Sequence, residues 1–175
     1  TRGKKFNKLL KGIYIKNLSY KYPGSKNFAL NKVNCFIPAN KMTAIIGKSG
    51  SGKSTLTDII IGLLNAGDKT LYFDKDKYQD LSLKSVREKI SYVSQQPLIF
   101  AGSIFENVLY SFPKATKEMV IKACQEASAD EFIDKLPNTY NHKLLEGGTN
   151  ISGGERQRIM LARAFLIKSN FIILD

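Results

Sequence analysis

Gly47-Lys48-Ser49-Gly50-Ser51-Gly52-Lys53-Ser54-Thr55 is the stretch that decides the fold. It fits G-x-x-x-x-G-K-[ST] and lies between two contrasting patterns. Before it, Met42 to Ile46 is a short apolar run of the kind found in a strand buried on both faces. After it, Leu56, Ile59, Ile60, Leu63 and Leu64 fall at i, i+3, i+4, i+7 and i+8, one apolar stripe of a helix expected to end at Gly67 and Asp68. Strand, glycine-rich loop and helix in that order predict a phosphate-binding turn. Gly47, Gly50 and Gly52 permit backbone angles and a close approach that aim several N–H groups at phosphate oxygens, aided by the positive end of the helix dipole. Lys53 is expected to reach the β- and γ-phosphates, and Ser54 to offer its hydroxyl to magnesium. An ordinary glycine turn ahead of a helix needs neither Lys nor Ser at these offsets.

Outward from the loop, residues 1–12 are basic and without a sustained period, as in a linker arriving from something upstream. Ile13 to Tyr20 and Val33 to Ile37 read as strands, separated by the turn residues Pro23, Gly24, Ser25 and Asn27. Ser85 and Glu88 have capping-box spacing for a short helix before a strand at Ile90 to Ser94, which Pro97 closes. Ser103 to Leu136 turns helical. Thr116 is expected to cap one segment (Met119, Val120, Ala123, Cys124, Ala127), and Ser128 with Glu131 the next. The stretch predicts a helical insertion between pieces of a sheet-based core. Ser152 starts a further helix through Lys168, and Phe171 to Asp175 reads as another buried strand.

A chain of 175 residues, 43% of them apolar, is of single-domain size. Its longest apolar candidate, Ile59 to Leu64, falls short of the roughly 18 to 20 residues that cross a bilayer. The chain opens on Thr1 and stops inside an expected strand, so both ends are expected to be cut. A net charge of +12 has three readings: a lysine-rich composition, an anionic leaflet, or nucleic acid. Cys35 and Cys124 lack metal spacing and are expected to be buried free thiols in a reducing cytosol. His142 is the only histidine, which excludes a His-rich metal site or a His-based triad within the chain.

A second motif, Ile151-Ser152-Gly153-Gly154-Glu155-Arg156-Gln157-Arg158, narrows the class. Ser152 is a good N-cap, Gly153 and Gly154 leave N–H groups unshielded toward an anion, and Glu155 completes a capping box. A capping box alone needs no second glycine and no Arg156-Gln157-Arg158. The stretch resembles the L-S-G-G-Q signature of ATP-binding cassette (ABC) proteins, and so separates them from the small-molecule kinases, GTPases and helicases that share the first loop. The resemblance covers nearly the whole chain. Gln95 in Val93-Ser94-Gln95-Gln96-Pro97 is similar to the family's Q-loop glutamine, which contacts magnesium and the attacking water and couples to a transmembrane partner; Gln96 is its alternative. Tyr22, before Pro23, resembles the aromatic residue that stacks on adenine, although a turn-flanking tyrosine looks the same. Asn170 to Asp175 resembles the Walker B strand, with Asp175 holding magnesium through water, and Thr55 takes the position that meets the α-phosphate.

The resemblance implies an α/β fold: a P-loop NTPase (RecA-like) core with an N-terminal antiparallel β subdomain and an inserted α-helical subdomain, the C-terminal part of the core missing. Residues 1–12 become the linker from an upstream transmembrane region. Residues 13–96 become the ATP-binding core with its β subdomain, 97–168 the helical subdomain with the signature, and 169–175 the Walker B strand. Gly47, Lys48, Ser49, Gly50, Ser51, Gly52, Lys53, Ser54, Thr55 and Tyr22 would bind ATP. Ser54, Gln95 and Asp175 would hold Mg2+, with Lys53 and Gln95 in catalytic roles. Ser152, Gly153, Gly154 and Glu155 would contact ATP held by a second cassette in a head-to-tail dimer. The family's catalytic glutamate would follow Asp175 and its switch histidine lies further on, so His142 is not that histidine and the chain as given is expected to bind ATP but hardly hydrolyse it.

Gly102 to Val108 and Glu146-Gly147-Gly148 are similar to exporter cassettes, and Glu-Gly-Gly-x-x-Ile-Ser-Gly-Gly to peptide and bacteriocin exporters. The implied function is ATP-driven export of a substrate, peptide and lipid among the candidates, at the cytoplasmic face of the cell membrane. The implied partners are a transmembrane domain and a second cassette, with no nucleic acid. Two departures stand out: Glu155 replaces the signature glutamine and adds negative charge near a phosphate, and Leu145 stands where exporters carry glycine. The rival is a soluble ABC ATPase of DNA repair or translation that sets its basic surface on nucleic acid.

Overall fold

Ile13, Ile15 and Leu18 are buried along Gly12–Tyr20 (β1), whereas Lys16 and Asn17 between them are exposed. That alternation suits an antiparallel sheet with one face on a core and the other in water. β1 pairs with Leu30–Pro38 (β2), Ile13 opposite Ile37 and Tyr14 opposite Phe36. The computed structural model describes residues 3–65 and 67–175, which fall into two compact units, 1–90 and 91–175.

In the first unit, Lys53–Ile60 (α1) follows the loop; then come Leu71–Phe73 (β3), Asp76–Lys77 (β4) and Leu83–Arg87 (α2). The sheet order is β2-β1-β3-β4, all pairs antiparallel. Cys35 is a free thiol but exposed, contrary to expectation. It lies on an edge strand in which only Leu30 and Ile37 are buried, and the register slips twice beyond Ile15.

Three local expectations for this unit are also corrected. Met42 to Ile46 forms no strand, and Met42 is 99% and Ile46 94% exposed. No strand of the same unit pairs with the run, and hydrophobicity alone supplies no neighbours. α1 ends at Ile60, closed by Gly62, rather than at Gly67 and Asp68: Gly62 has φ 77, its N–H donates to Ile59 O (3.1 Å), and Leu63 N–H donates to Asp58 O (2.8 Å). This is a Schellman turn that only a left-handed residue permits. The Arg87 guanidinium adds bonds to Ile61 O and Gly62 O (3.3 and 2.7 Å). α2 begins after Ser82, and Ser85 is inside it, donating to Ser82 O and accepting from Phe6 N–H (both 2.8 Å), so no Ser85–Glu88 box forms.

Of the expected linker, residues 1 and 2 lie outside the described residues. Phe6 and Leu9 are buried, and Phe6 meets Phe73 edge-on at 5.3 Å. The Asp74 carboxylate accepts from Leu10, Lys11 and Gly12 N–H at 2.8, 2.6 and 2.9 Å. Burial alone would raise its pKa; the three donors and the Lys11 charge outweigh it and hold the pKa below the ordinary value.

The second unit pairs Ile90–Val93 (β5) with Phe171–Leu174 (β8), and Gly102–Ser103 (β6) with Lys143–Leu144 (β7). Its helices are Ile104–Leu109 (α3), Lys117–Glu126 (α4), Asp130–Ile133 (α5) and Gly153–Leu166 (α6). Ile104, Val108, Val120, Cys124, Ile133, Leu144 and Ile159 make the core among them. Burial and the nearby Asp130 push the Cys124 thiol up to about 12. Of the expected buried strand at 171–175, only Ile173 is buried, while Leu174 is 64% exposed.

Thr116 caps α4, accepting from Met119 N–H at 3.4 Å. Ser128 does not cap α5. It stands at φ 51 with its N–H on Gln125 O (2.9 Å), while Ala129 N–H reaches Cys124 O (2.8 Å), so it closes α4 in a second Schellman turn. Ser103 and Glu106 form a full capping box on α3. The Ser103 backbone N–H and hydroxyl, with Lys143, hold Glu106 down at about 2.

Arg163 of α6 is buried and donates to Asn107 O (2.6 Å), Asn107 Oδ1 (2.7 Å) and Leu98 O (2.5 Å). Phe100 and Tyr110 lie within cation–π reach, at 5.4 and 5.9 Å. Asn107, also buried, donates to Phe100 O and Ser103 O, both at 3.0 Å.

Two predictions follow from these polar clamps. Arg163→Met strands buried acceptors and is expected to remove about 3 kcal/mol of stability, read from the urea midpoint of the second unit. Asp74→Asn keeps a residue that tolerates positive φ but loses charge, at about 1 kcal/mol near neutral pH. Because the folded-state pKa of Asp74 is depressed, its contribution exists above the ordinary value of 3.8 and is lost as pH falls through the lower folded value. Thermal unfolding of wild type and variant should therefore converge on acidification below about pH 4.

Candidate functional site

α1 starts without a side-chain cap. Gly52 is its N-cap, at φ 90, and among the described residues no side-chain cap bond to the first-turn N–H groups is made. Those groups have no acceptor within the helix and are left to an external one. At Gly52 a Cβ would stand 2.4 Å from Ala29 O and 2.8 Å from Leu30 Cδ2, so the loop backbone meets the entry to β2 as only glycine allows. Lys53 Nζ donates to Gly47 O and Lys48 O, both at 3.0 Å, which places the ammonium at the loop. Ser51 N–H donates to Lys48 O at 3.2 Å.

Gly47, Lys48, Ser49, Gly50, Ser51 and Ser54 are exposed. Thr55 is only 7% exposed, and its hydroxyl lies 3.1 Å from that of Tyr22. Tyr22 is 41% exposed and meets Tyr20 edge-on at 5.1 Å. The first unit thus brings together the loop, Lys53, Thr55 and Tyr22. The Tyr22–Thr55 contact is invisible in the motif, because thirty-odd residues separate the two.

In the second unit, Gln95 and Gln96 are exposed, and Ser94 Oγ donates to Gln96 O at 2.8 Å. Asp175 N–H donates to Val93 O at 3.0 Å, and its exposed carboxylate accepts from the Tyr92 hydroxyl at 3.0 Å. Tyr92 had no motif to mark it; its place on the strand paired with β8 is the signal. Ser54, Gln95 and Asp175 are all oxygen donors. Among the described residues no cluster of three or more His, Cys, Asp or Glu could hold a metal by itself.

α6 starts differently from α1. Ser152 Oγ accepts from Glu155 N–H at 3.3 Å, and the Glu155 carboxylate accepts from Ser152 N–H at 2.7 Å. The box leaves the N–H groups of Gly153 and Gly154 at the first two helical positions, where no intrahelical acceptor exists. Arg156 donates to Gly148 O and Ile151 O at 3.0 and 2.9 Å, fixing the approach to the motif.

The two exporter-like segments meet. Ala101 N–H donates to Glu146 Oε2 at 3.1 Å, and Gly147 N–H donates to Ile99 O at 2.9 Å. Leu145 has ordinary extended angles (φ −80, ψ 166) and is exposed, so its backbone needs no glycine.

Residues 30–175 match the model of the ABC transporter family. The ATP-dependent lipid A-core flippase of Haemophilus influenzae is 39% identical over 162 residues, which are 92% of this chain and 28% of the flippase. ABC transporter B family member 14 of Arabidopsis thaliana is 38% identical over 158 residues, 90% of this chain and 13% of that protein. The chain therefore spans well under a third of either relative. A bacterial Atm1-family ABC exporter with ATP bound superposes with a TM-score of 0.91 at 24% identity, over 99% of this chain and 30% of that one, a likeness that shows the fold. The fold is that of an α/β P-loop NTPase. A glycine-built loop with its lysine folded inward, a capped signature helix and a family match over residues 30–175 agree: the chain belongs to the ABC transporter family.

Proposed function

We propose that Gly47 to Thr55 and Tyr22 bind ATP with magnesium, that Ser152 to Glu155 meet ATP held by a second cassette, and that the intact protein hydrolyses ATP to drive export. The observation that carries this is the uncapped start of α1. Its first-turn N–H groups, the inward ammonium of Lys53 and the left-handed Gly52 make a cradle for a chain of phosphates. Tyr22, 41% exposed, offers an aromatic ring of the kind on which a base stacks.

Ser54, Gln95 and Asp175 fit magnesium by their chemistry. They are hard oxygen donors, few in number, and magnesium keeps its remaining positions for water and phosphate oxygens. Held by donors of this kind, the ion would neutralise charge on the β- and γ-phosphates during transfer to water. Lys53 contributes positive charge at the same phosphates, and Gln95 orients the water with its amide.

Gly154 supports the role of the signature. A Cβ there would meet nothing within 4 Å among the described residues, so packing against them does not demand glycine at the second position of α6. The missing side chain opens a surface to something outside the chain, for which we propose the triphosphate of a second cassette.

The paired segments at Ala101–Glu146 and Ile99–Gly147, with relatives named as a flippase and an exporter, favour an exporter cassette at the cytoplasmic face of a membrane. Lipid and peptide are the substrate classes proposed. No helix among the described residues is long and apolar enough to cross a membrane; the partner proposed for export is a transmembrane domain.

Lys53→Ala tests the site. Each charge-assisted hydrogen bond contributes about 1.5–3 kcal/mol, so Mg-ATP affinity of the variant is expected to fall by more than about tenfold in calorimetric titration. Unchanged affinity in a folded variant, checked by circular dichroism, overturns the assignment.

A further inference from the structure

The contact between Tyr22 and Thr55 has no part in the reading just given, in which Tyr22 serves the base and Thr55 the phosphates separately. Their hydroxyls lie 3.1 Å apart. Thr55 is 93% buried within the first turn of α1, two residues after Lys53. Its hydroxyl carries one proton and two lone pairs. Thr55 is the third residue of α1, so the carbonyl four residues earlier, that of Ser51, precedes the N-cap Gly52 and lies outside the helix; a β-branched side chain also has few rotamers to choose from.

From this geometry we infer that Tyr22 is a positioning residue for the phosphate end of the site, acting through Thr55, in addition to any contact with a base. In the inferred arrangement Tyr22 donates its hydroxyl proton to Thr55 Oγ1, one of the two directions that the contact allows. That bond occupies one lone pair of Thr55 Oγ1 and leaves its single O–H to donate to a phosphate oxygen. A donor that itself accepts a hydrogen bond is polarised and donates more strongly. The same bond anchors the Tyr22 ring, which Tyr20 supports edge-on at 5.1 Å. The inference rests on the proposed ATP site.

Stacking and positioning differ in one respect. A tyrosine that only stacks on a base has no influence on a ligand without a base. The experiment is a titration of the 175-residue chain with Mg-ATP and, separately, with magnesium tripolyphosphate, for wild type, Tyr22→Phe, Thr55→Val, Thr55→Ser and the two double variants, each checked for folding by circular dichroism and thermal melting.

Tyr22→Phe is expected to bind both ligands about three- to tenfold more weakly, the range of one net hydrogen bond. In the Thr55→Val background the same change is expected to have no effect. In the Thr55→Ser background, which keeps the hydroxyl, the effect returns. Tripolyphosphate affinity that stays within twofold in Tyr22→Phe, a tightening, or an equal loss in the Thr55→Val background each overturns the inference. Failure of the underlying site looks different: Lys53→Ala then binds as wild type does.

Discussion

The loop and its surroundings depend on one close approach, that of the Gly52 backbone to Ala29 O, where a Cβ would come within 2.4 Å. Because Gly52 turns left-handed there, α1 begins against the entry to β2 instead of standing off from it. Tyr22 lies between β1 and β2, so the same approach brings its hydroxyl to Thr55, three residues into the turn after Gly52. It also sets Lys53 at the first helical position, from which its ammonium reaches back to Gly47 O and Lys48 O. Any side chain at residue 52 would push loop and sheet apart, and three features would be lost together.

The second unit achieves the same rigidity with cations. On α6, Arg156 fastens Gly148 and Ile151, Arg158 fastens Ser128 O and Glu131, and Arg163 fastens Leu98 and Asn107. The planar guanidinium offers five donors, which matches stretches of irregular backbone whose carbonyls no ladder satisfies. Through these contacts the helix that begins at Ser152 is tied to segments that precede it in the chain, within its own unit. Burial lowers the pKa of Arg163, while the nearby Tyr110 acts to raise it.

Patterns whose physics is local were legible in the sequence. Ser152 with Glu155 and Thr116 with Met119 cap as expected, since N-cap, N3 and backbone donor lie within one turn. Ser85 and Ser128 carry the same kind of spacing and do not cap. Ser85 is taken by Phe6, and Ser128 is committed to the end of α4, both decided by residues outside the pattern. Met42 to Ile46 has the hydrophobicity of a buried strand, and Cys35 the alternation of a core residue, yet burial depends on what lies alongside. Arg163 and Asn107 form a buried pair; Asn107 lies in the exporter-like stretch Gly102 to Val108, but nothing in that stretch points to Arg163 as its partner.

Glu155 shows how a departure from a family pattern is absorbed and where its effect remains. Its carboxylate turns back onto Ser152 N–H, a bond that the side-chain oxygen of a glutamine would also make, so the helix start is preserved. The charge is not removed by that bond. A carboxylate in the first turn complements the helix dipole, and by the same field it opposes a second anion at the helix end. In the proposed head-to-tail pair, phosphate at this helix is therefore held by short-range contacts, the N–H groups of Gly153 and Gly154 and the Ser152 hydroxyl, and less by the long-range field than at α1. There no acidic residue occupies the first turn. In that proposed pair the two helix starts would divide the work, α1 attracting the anion and α6 selecting for its shape.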